Sequence, residues 1–197
     1  PHPEGDKEMI KKRRDSLALK ILRGIGYTGL VLLAASNPFF GLNMIRGIKR
    51  HNDKKAWRKF YESLRYLDRR GYVKILDRNS QGIKVKITHK GEDVIKELDI
   101  DSMKLKKQDS WDGKWRLVIF DVPNTKSRNR LAFTEKLKEL GFIMVQKSVW
   151  AYPYECYKEM MILRKFYNIE KHVSCLEASN VEDELEWRGK FNLKQQS

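Results

Sequence analysis

Four basic side chains, Lys54, Lys55, Arg58 and Lys59, fall within six residues. They open a segment in which Trp57, Phe60, Leu64 and Leu67 recur at steps of three and four, the spacing of one face of an α-helix. Long hydrogen-bond donors on the solvent side of a helix suit one chemistry above others. The major groove of duplex DNA admits a single helix, and Arg and Lys match the acceptors on its base edges. Lys54, Lys55, Arg58 and Lys59 lie in the N-terminal half of that helix, where base edges are met, and Tyr61, Glu62 and Arg65 come next in reach. A second polar set, Arg78, Asn79, Gln81, Lys84 and Lys86, surrounds a turn and its return strand and suits phosphates or the minor groove. A third, Lys12, Arg13 and Arg14, forms an N-terminal arm suited to a further stretch of phosphates.

Other chemistries find little support. There is no Gly-rich phosphate cradle and no nucleophile triad. The four histidines, His2, His51, His89 and His172, are scattered, and no Cys/His pair has zinc-finger spacing. Two cysteines, Cys156 and Cys175, make no disulfide framework and read as small buried hydrophobes in a reduced, cytoplasmic setting. Gly24–Ile45 holds no Asp, Glu, Lys or Arg over 22 residues, but Ser36-Asn37-Pro38 interrupts it. It therefore reads as a buried helix, a loop and the start of a second helix, and no membrane partner is expected.

The elements that must position the basic residues follow from the same periodicities. Asp15–Ala35 is predicted as a first helix, with Leu17, Ile21, Leu22, Ile25, Leu32 and Leu33 as its apolar side. Asn37-Pro38 ends it, and Gly41–Arg50 is a short second helix. Asp53 caps a third helix that runs to Arg70 and stops at Gly71. The period then switches to that of a strand: Tyr72–Leu76, a turn over Asp77–Gly82, and a return strand in which Ile83, Val85 and Ile87 alternate with Lys84 and Lys86. Thr88–Leu98 closes the unit as a helix. Three helices, a hairpin and a further helix make a winged helix-turn-helix over residues 15–98, behind the arm of residues 1–14.

Residues 99–113 form a polar linker carrying Lys104, Lys106 and Lys107. Residues 114–197 then spell a second unit. Lys114–Asp121 is a strand apolar on both faces, hence central in its sheet. Lys126–Leu140 is a helix with Leu131, Phe133, Leu137 and Leu140 as its apolar side. Phe142–Gln146 and Val149–Tyr152 are strands joined through Lys147-Ser148, Glu155–Tyr167 is a helix and His172–Leu176 a fourth strand. The order βαββαβ is ferredoxin-like, so the expected class is α+β, a winged helix-turn-helix followed by a ferredoxin-like domain.

Charge divides along the same line. The chain of 197 residues has a formal charge of +15, yet residues 1–110 hold 26 basic against 14 acidic side chains and residues 111–197 hold 15 against 12. A basic module ahead of a near-neutral one assigns the polyanion partner to the first unit.

The runs WDGKWRLVIFDVP (111–123) and GFIMVQKSVWAYP (141–153) resemble two related families. One is the CRISPR-associated protein 2 family of small ferredoxin-like, metal-dependent nucleases and DNA-integration subunits. The other is the PaaX-type repressor family, which joins a winged helix to such a domain. The second resemblance extends over ITHKG (87–91), DIDSMKLKK (99–107) and WRGKFNL (187–193). It implies a homodimer, paired through the ferredoxin-like domain, that binds double-stranded DNA as a transcriptional repressor and needs no cofactor to do so. The nuclease resemblance implies instead that Asp121 helps hold Mg²⁺ or Mn²⁺ beside its dimer mate, with Asp112 and Glu155 as candidate helpers. Against this, an Asp-Val-Pro run after a strand also serves simply to bond the amides of the next loop. Gln146, Lys147 and Ser148 match the motif and are expected to organise the strand junction and the dimer surface, and Trp111, Trp115, Trp150 and Trp187 are expected in the core or a dimer contact. Two departures bear on these implications. About 110 residues precede the first ferredoxin-like strand, where the free-standing nucleases begin at it. The repressors continue into a further C-terminal module, whereas this sequence ends soon after the fourth strand, so no acyl-coenzyme A effector is carried over.

Overall fold

Leu19, Leu22 and Ile25 are spaced three apart and share one buried face of the first helix, α1 (Leu17–Thr28). The computed structural model describes residues 16–28, 30–34, 54–79 and 82–193, and the chain divides into two units, Pro1–Asp101 and Ser102–Ser197.

In the first unit α1 is followed by strand β1 (Leu30–Ala34), helix α2 (Lys54–Arg69), strands β2 (Val73–Asn79) and β3 (Gly82–Ile87), and helix α3 (His89–Ser102). The three strands form an antiparallel sheet in the order β1-β3-β2. The long first helix expected over Asp15–Ala35 is therefore corrected: it ends at Thr28, and Leu30–Ala34 pairs with β3 from Leu30↔Lys86 to Ala34↔Gly82. The run LVLLA is continuously apolar, a pattern that periodicity cannot divide between helix and strand. The helix expected over Gly41–Arg50 lies outside the described residues. Among the described residues no helix is long and apolar enough to cross a membrane.

The hairpin also differs from expectation. Its ladder continues past Leu76 to Asn79↔Gly82, so the turn is shorter than Asp77–Gly82. A bulge between Ile75 and Asp77 absorbs one residue and leaves Leu76 exposed. Two glycines have a clear physical reason. Gly71 takes a φ of +71° to end α2, where an L-residue would be strained. At Gly91, a Cβ would collide with the Tyr72 carbonyl oxygen, so only glycine lets α3 approach the α2–β2 connection. Thr88 fastens the same corner: its hydroxyl donates to the Gly71 carbonyl at 2.6 Å and accepts from the Gly91 N–H at 3.1 Å. The core of the unit is drawn from α1, α2, the hairpin and α3, with Leu22, Leu67 and Val85 fully buried. α3 runs past the expected end at Leu98 because Ile100 also buries its side chain.

The second unit comprises β4 (Trp115–Phe120), helix α4 (Ser127–Glu139), β5 (Ile143–Gln146), β6 (Val149–Tyr152), helix α5 (Tyr157–Phe166), β7 (Val173–Ala178) and helix α6 (Glu184–Phe191). Its sheet has the order β5-β6-β4-β7 with every ladder antiparallel. This is the ferredoxin-like βαββαβ arrangement, and β4 is interior, as its two apolar faces require. On α4, Phe133 and Leu137 are fully buried, but Leu131 is 60% exposed, against expectation. At 100° per residue, Leu131 falls on the side opposite Phe133, Leu137 and Leu140.

Helix α6 has no counterpart in the sequence reading. It lays Trp187 edge-on against Trp115 at 5.3 Å between ring centroids, with Trp111 at 5.0 Å from Trp115 on another side. These rings and Ala151 form a small aromatic core, and Trp150 is buried as well. All four tryptophans of this unit are thus packing residues.

Candidate functional site

In the first unit α2 carries the candidate residues. Its buried face is Phe60, Leu64 and Leu67. Arg58, Glu62, Arg65 and Arg69 follow one another at steps of four, three and four and are exposed, which places them diametrically opposite that face. Arg58 and Glu62 are paired at 3.6 Å with both side chains about two-thirds or more exposed, a contact easily exchanged for another partner. Lys59 is exposed beside this stripe, and among the described residues Lys59, Arg65 and Arg69 are held in no ion pair. Tyr61 is half-buried, packs against the core and meets Phe60 edge-on at 5.8 Å, so its ring props the helix rather than standing clear of it. Lys54 and Lys55 occupy the first turn of α2; their side chains lie outside the described residues.

The hairpin repeats the pattern in strand form. Ile83, Val85 and Ile87 are buried and Lys84 and Lys86 exposed, as period two demands. Register sets Lys74 directly across from Lys86, two like charges on one face, and Asp77 across from Lys84. Opposed lysines cost stability, and none of the three lysines is held in an ion pair among the described residues. Arg78 and Asn79 sit in β2 opposite Ile83 and Gly82, at the end of the hairpin. The side chains of Arg78 and Asn79, together with Gln81, Lys12, Arg13 and Arg14, lie outside the described residues.

The second unit gathers its charges differently, around a residue the sequence reading passed over. Arg116 stands in the otherwise apolar strand WRLVIF, with its side chain 11% exposed. Its two terminal nitrogens donate to Asp112 at 2.7 Å each, a bidentate fork, and one donates further to the carbonyls of Lys114 at 2.8 Å and Pro153 at 3.2 Å. Glu155 and Glu177 stand 3.6 and 3.7 Å away, and Glu177 is paired to Lys114 at 3.0 Å. The hydrogen bond from Arg116 holds the Asp112 carboxyl below its usual range, outweighing the opposing effect of burial, and the same bond raises the Arg116 pKa. A lone arginine inside an apolar central strand was the legible signal, because a buried guanidinium requires partners.

A family model described as the PaaX protein central Cas2-like domain matches residues 108–188. Those residues form a PaaX-type Cas2-like domain. No curated protein matches the chain.

Asp121 is exposed just beyond the end of β4 of the Cas2-like domain, where its N–H donates to the His172 carbonyl at 2.9 Å. The Phe120 N–H donates to Ser148 at 3.0 Å, so the β5–β6 junction is tied to the same strand end. Asp112 and Glu155 do not join Asp121. They engage Arg116, five residues back along β4, roughly 16 Å away at ~3.3 Å per strand residue. Among the described residues no three His, Cys, Asp or Glu side chains gather as metal ligands. One exposed carboxylate does not fit a divalent cation that needs several oxygen ligands, so no step through such an ion follows from a single copy of this domain. Cys156 is buried and Cys175 half-buried; burial pushes the Cys156 thiol up to about 12 and raises Cys175, making both poor nucleophiles.

Proposed function

We propose that the chain is a dimeric, sequence-specific double-stranded DNA-binding transcriptional regulator acting as a repressor. In this reading residues 15–98 are a winged helix-turn-helix, α2 is its recognition helix and the β2–β3 hairpin its wing. The arm of residues 1–14 adds phosphate contacts, residues 99–113 link the units, and the Cas2-like half pairs two chains. The observation that carries the reading is the Arg58, Glu62, Arg65, Arg69 stripe set opposite the core face of α2. A helix that keeps its apolar side inward and offers guanidinium groups outward has the chemistry for guanine O6 and N7. The exposed Lys74, Lys84 and Lys86 supply the sequence-independent attraction to phosphate. The match to a PaaX-type domain supports the regulatory setting.

Pairing has its own support in the second unit. Leu117, Ile119 and Val149 are only partly buried and Leu176 is about half exposed, and strand register puts all four on one face of the sheet. Covering such a face with a second copy removes apolar surface from water and fixes the distance between two recognition helices.

Selection of bound duplexes from a random pool tests the reading. Recovery of a two-fold motif is expected; recovery of no motif overturns it. Cleavage of DNA or RNA with Mg²⁺ or Mn²⁺, abolished by Asp121→Asn, would establish the endonuclease reading instead.

A further inference from the structure

A cavity of about 420 Å³ opens within the second unit between β4, β7 and the start of α5. Its walls include Val118 and three sulfur-bearing side chains, Cys156, Met160 and Cys175. Tyr157 also lines it and is 54% exposed, which places its ring at the rim. Sulfur atoms and an accessible ring favour an aromatic occupant, through sulfur–π and ring–ring contact.

The polar groups define the other end of that occupant. Arg116 lines the cavity, but Asp112 already takes both of its terminal nitrogens. Glu155 and Glu177, also in the lining, therefore keep one oxygen each, at 3.6 and 3.7 Å from the guanidinium, outside direct hydrogen-bond range. The Arg116 Nε–H is buried and has no acceptor. Three carboxylates here face only Arg116 and Lys114, so a further anion is repelled. A further cation would meet the guanidinium at the same place. A hydroxyl group avoids both penalties, since it donates to a carboxylate and accepts from an arginine N–H.

We propose that this cavity is a binding site for a small neutral aromatic alcohol or phenol. The site lies wholly in the second unit and stands independently of whether the chain binds DNA.

The test titrates the whole chain with 2-naphthalenemethanol, the matching amine and 2-naphthoate. Calorimetry reads affinity, and the isotope-labelled Met160 methyl resonance reports location. The alcohol should bind saturably at about 1 mM or tighter, shifting Met160, with the amine and the carboxylate each about tenfold weaker or worse. Cys175→Phe, which fills the cavity, should abolish binding, and Tyr157→Ala at the rim should weaken it several-fold. Absence of saturable binding by the alcohol overturns the proposal, as does equal or tighter binding of either charged analogue. Undiminished binding by a folded Cys175→Phe protein overturns it too. Where Cys175→Phe does not fold, Tyr157→Ala decides, and an unchanged affinity and Met160 shift overturn the site.

Discussion

Arg58 and Arg116 are the same residue type put to opposite uses. Arg58 lies on the outer stripe of α2, 72% exposed, with one loose partner at 3.6 Å. Arg116 lies inside a central strand, 11% exposed, and is committed to Asp112, two carbonyls and two further carboxylates. The difference holds more widely. The first unit leaves Lys59, Arg65, Lys84 and Lys86 solvated, where they are free to exchange water and counterions for phosphate. The second unit turns charge inward: Lys136 is buried and paired to Glu139 at 3.0 Å, and Arg188 bonds Glu184 while its guanidinium lies over the Trp111 ring at 4.6 Å. Net charge alone merges these two populations. Only where each charge is spent tells which half has any to offer a polyanion.

The sharpest way to break this contrast is to truncate both arginines. Arg116→Ala removes the hub and leaves Asp112, Glu155 and Glu177 close together with only Lys114 to balance them. The second unit should lose about 2–4 kcal/mol, at the lower end because Asp112 and both glutamates are partly solvated. Arg116→Lys should rescue little, since an ammonium cannot reproduce the fork to Asp112. Tryptophan fluorescence during urea unfolding measures this well, because four of the five tryptophans lie in that unit. Arg58→Ala with Lys59→Ala should do the reverse. Stability should stay within ~0.5 kcal/mol, as for other exposed positions. Affinity for a selected duplex should fall by about 2–3 kcal/mol, roughly 30- to 150-fold. Equal effects of the two changes on folding would dissolve the distinction.

A smaller effect separates reading from mere attraction. Lys84→Ala with Lys86→Ala should lower affinity for all duplexes alike and flatten its dependence on salt by about two counterions, at ~0.9 per phosphate contact. A loss confined to one sequence would give the hairpin a base-reading role instead. Removing Lys86 also relieves its opposition to Lys74, so unfolding of the first unit should shift slightly toward greater stability.

The parts of the molecule legible from sequence are those where one periodicity dominates over a full element. Helix α2 was bounded to within a residue by Asp53, the three- and four-residue spacing of its apolar face, and Gly71. The ferredoxin-like order was legible because each of its strands is flanked by a turn and each helix has its own stripe. Leu30–Ala34 was not, because five consecutive apolar residues fit a buried helix and a strand equally, and only the pairing with β3 decides. Long-range pairings defeated the reading at the site as well. Asp112 and Glu155 were grouped with Asp121 by residue type, yet Arg116 collects them at the opposite end of β4. Helix α6 depends on the Trp187–Trp115 contact, between residues far apart in the chain. Such contacts leave no local periodicity to find.

The smallest expected effect tests the inward-turned charge by acidification. Asp112 has an ordinary value of 3.8, and its bond to Arg116 holds it lower in the folded chain. A carboxyl whose pKa falls on folding adds stability that is complete above its unfolded value and is lost as pH drops through its folded value. The Asp112 contribution should therefore be level near neutrality, begin to fade around 3.8, and vanish below the folded value. Comparing urea midpoints of the wild type and Asp112→Asn across this range isolates it: the gap should be constant above about pH 5 and close under stronger acid. The gap should be modest, since the Asp112 side chain is 42% exposed and water screens its charge. A gap that persists unchanged into acid would mean that the fork stabilises through shape and hydrogen bonding that asparagine cannot supply, rather than through charge. The second unit would then differ from the first in how its arginine is packed, not in how its charge is spent.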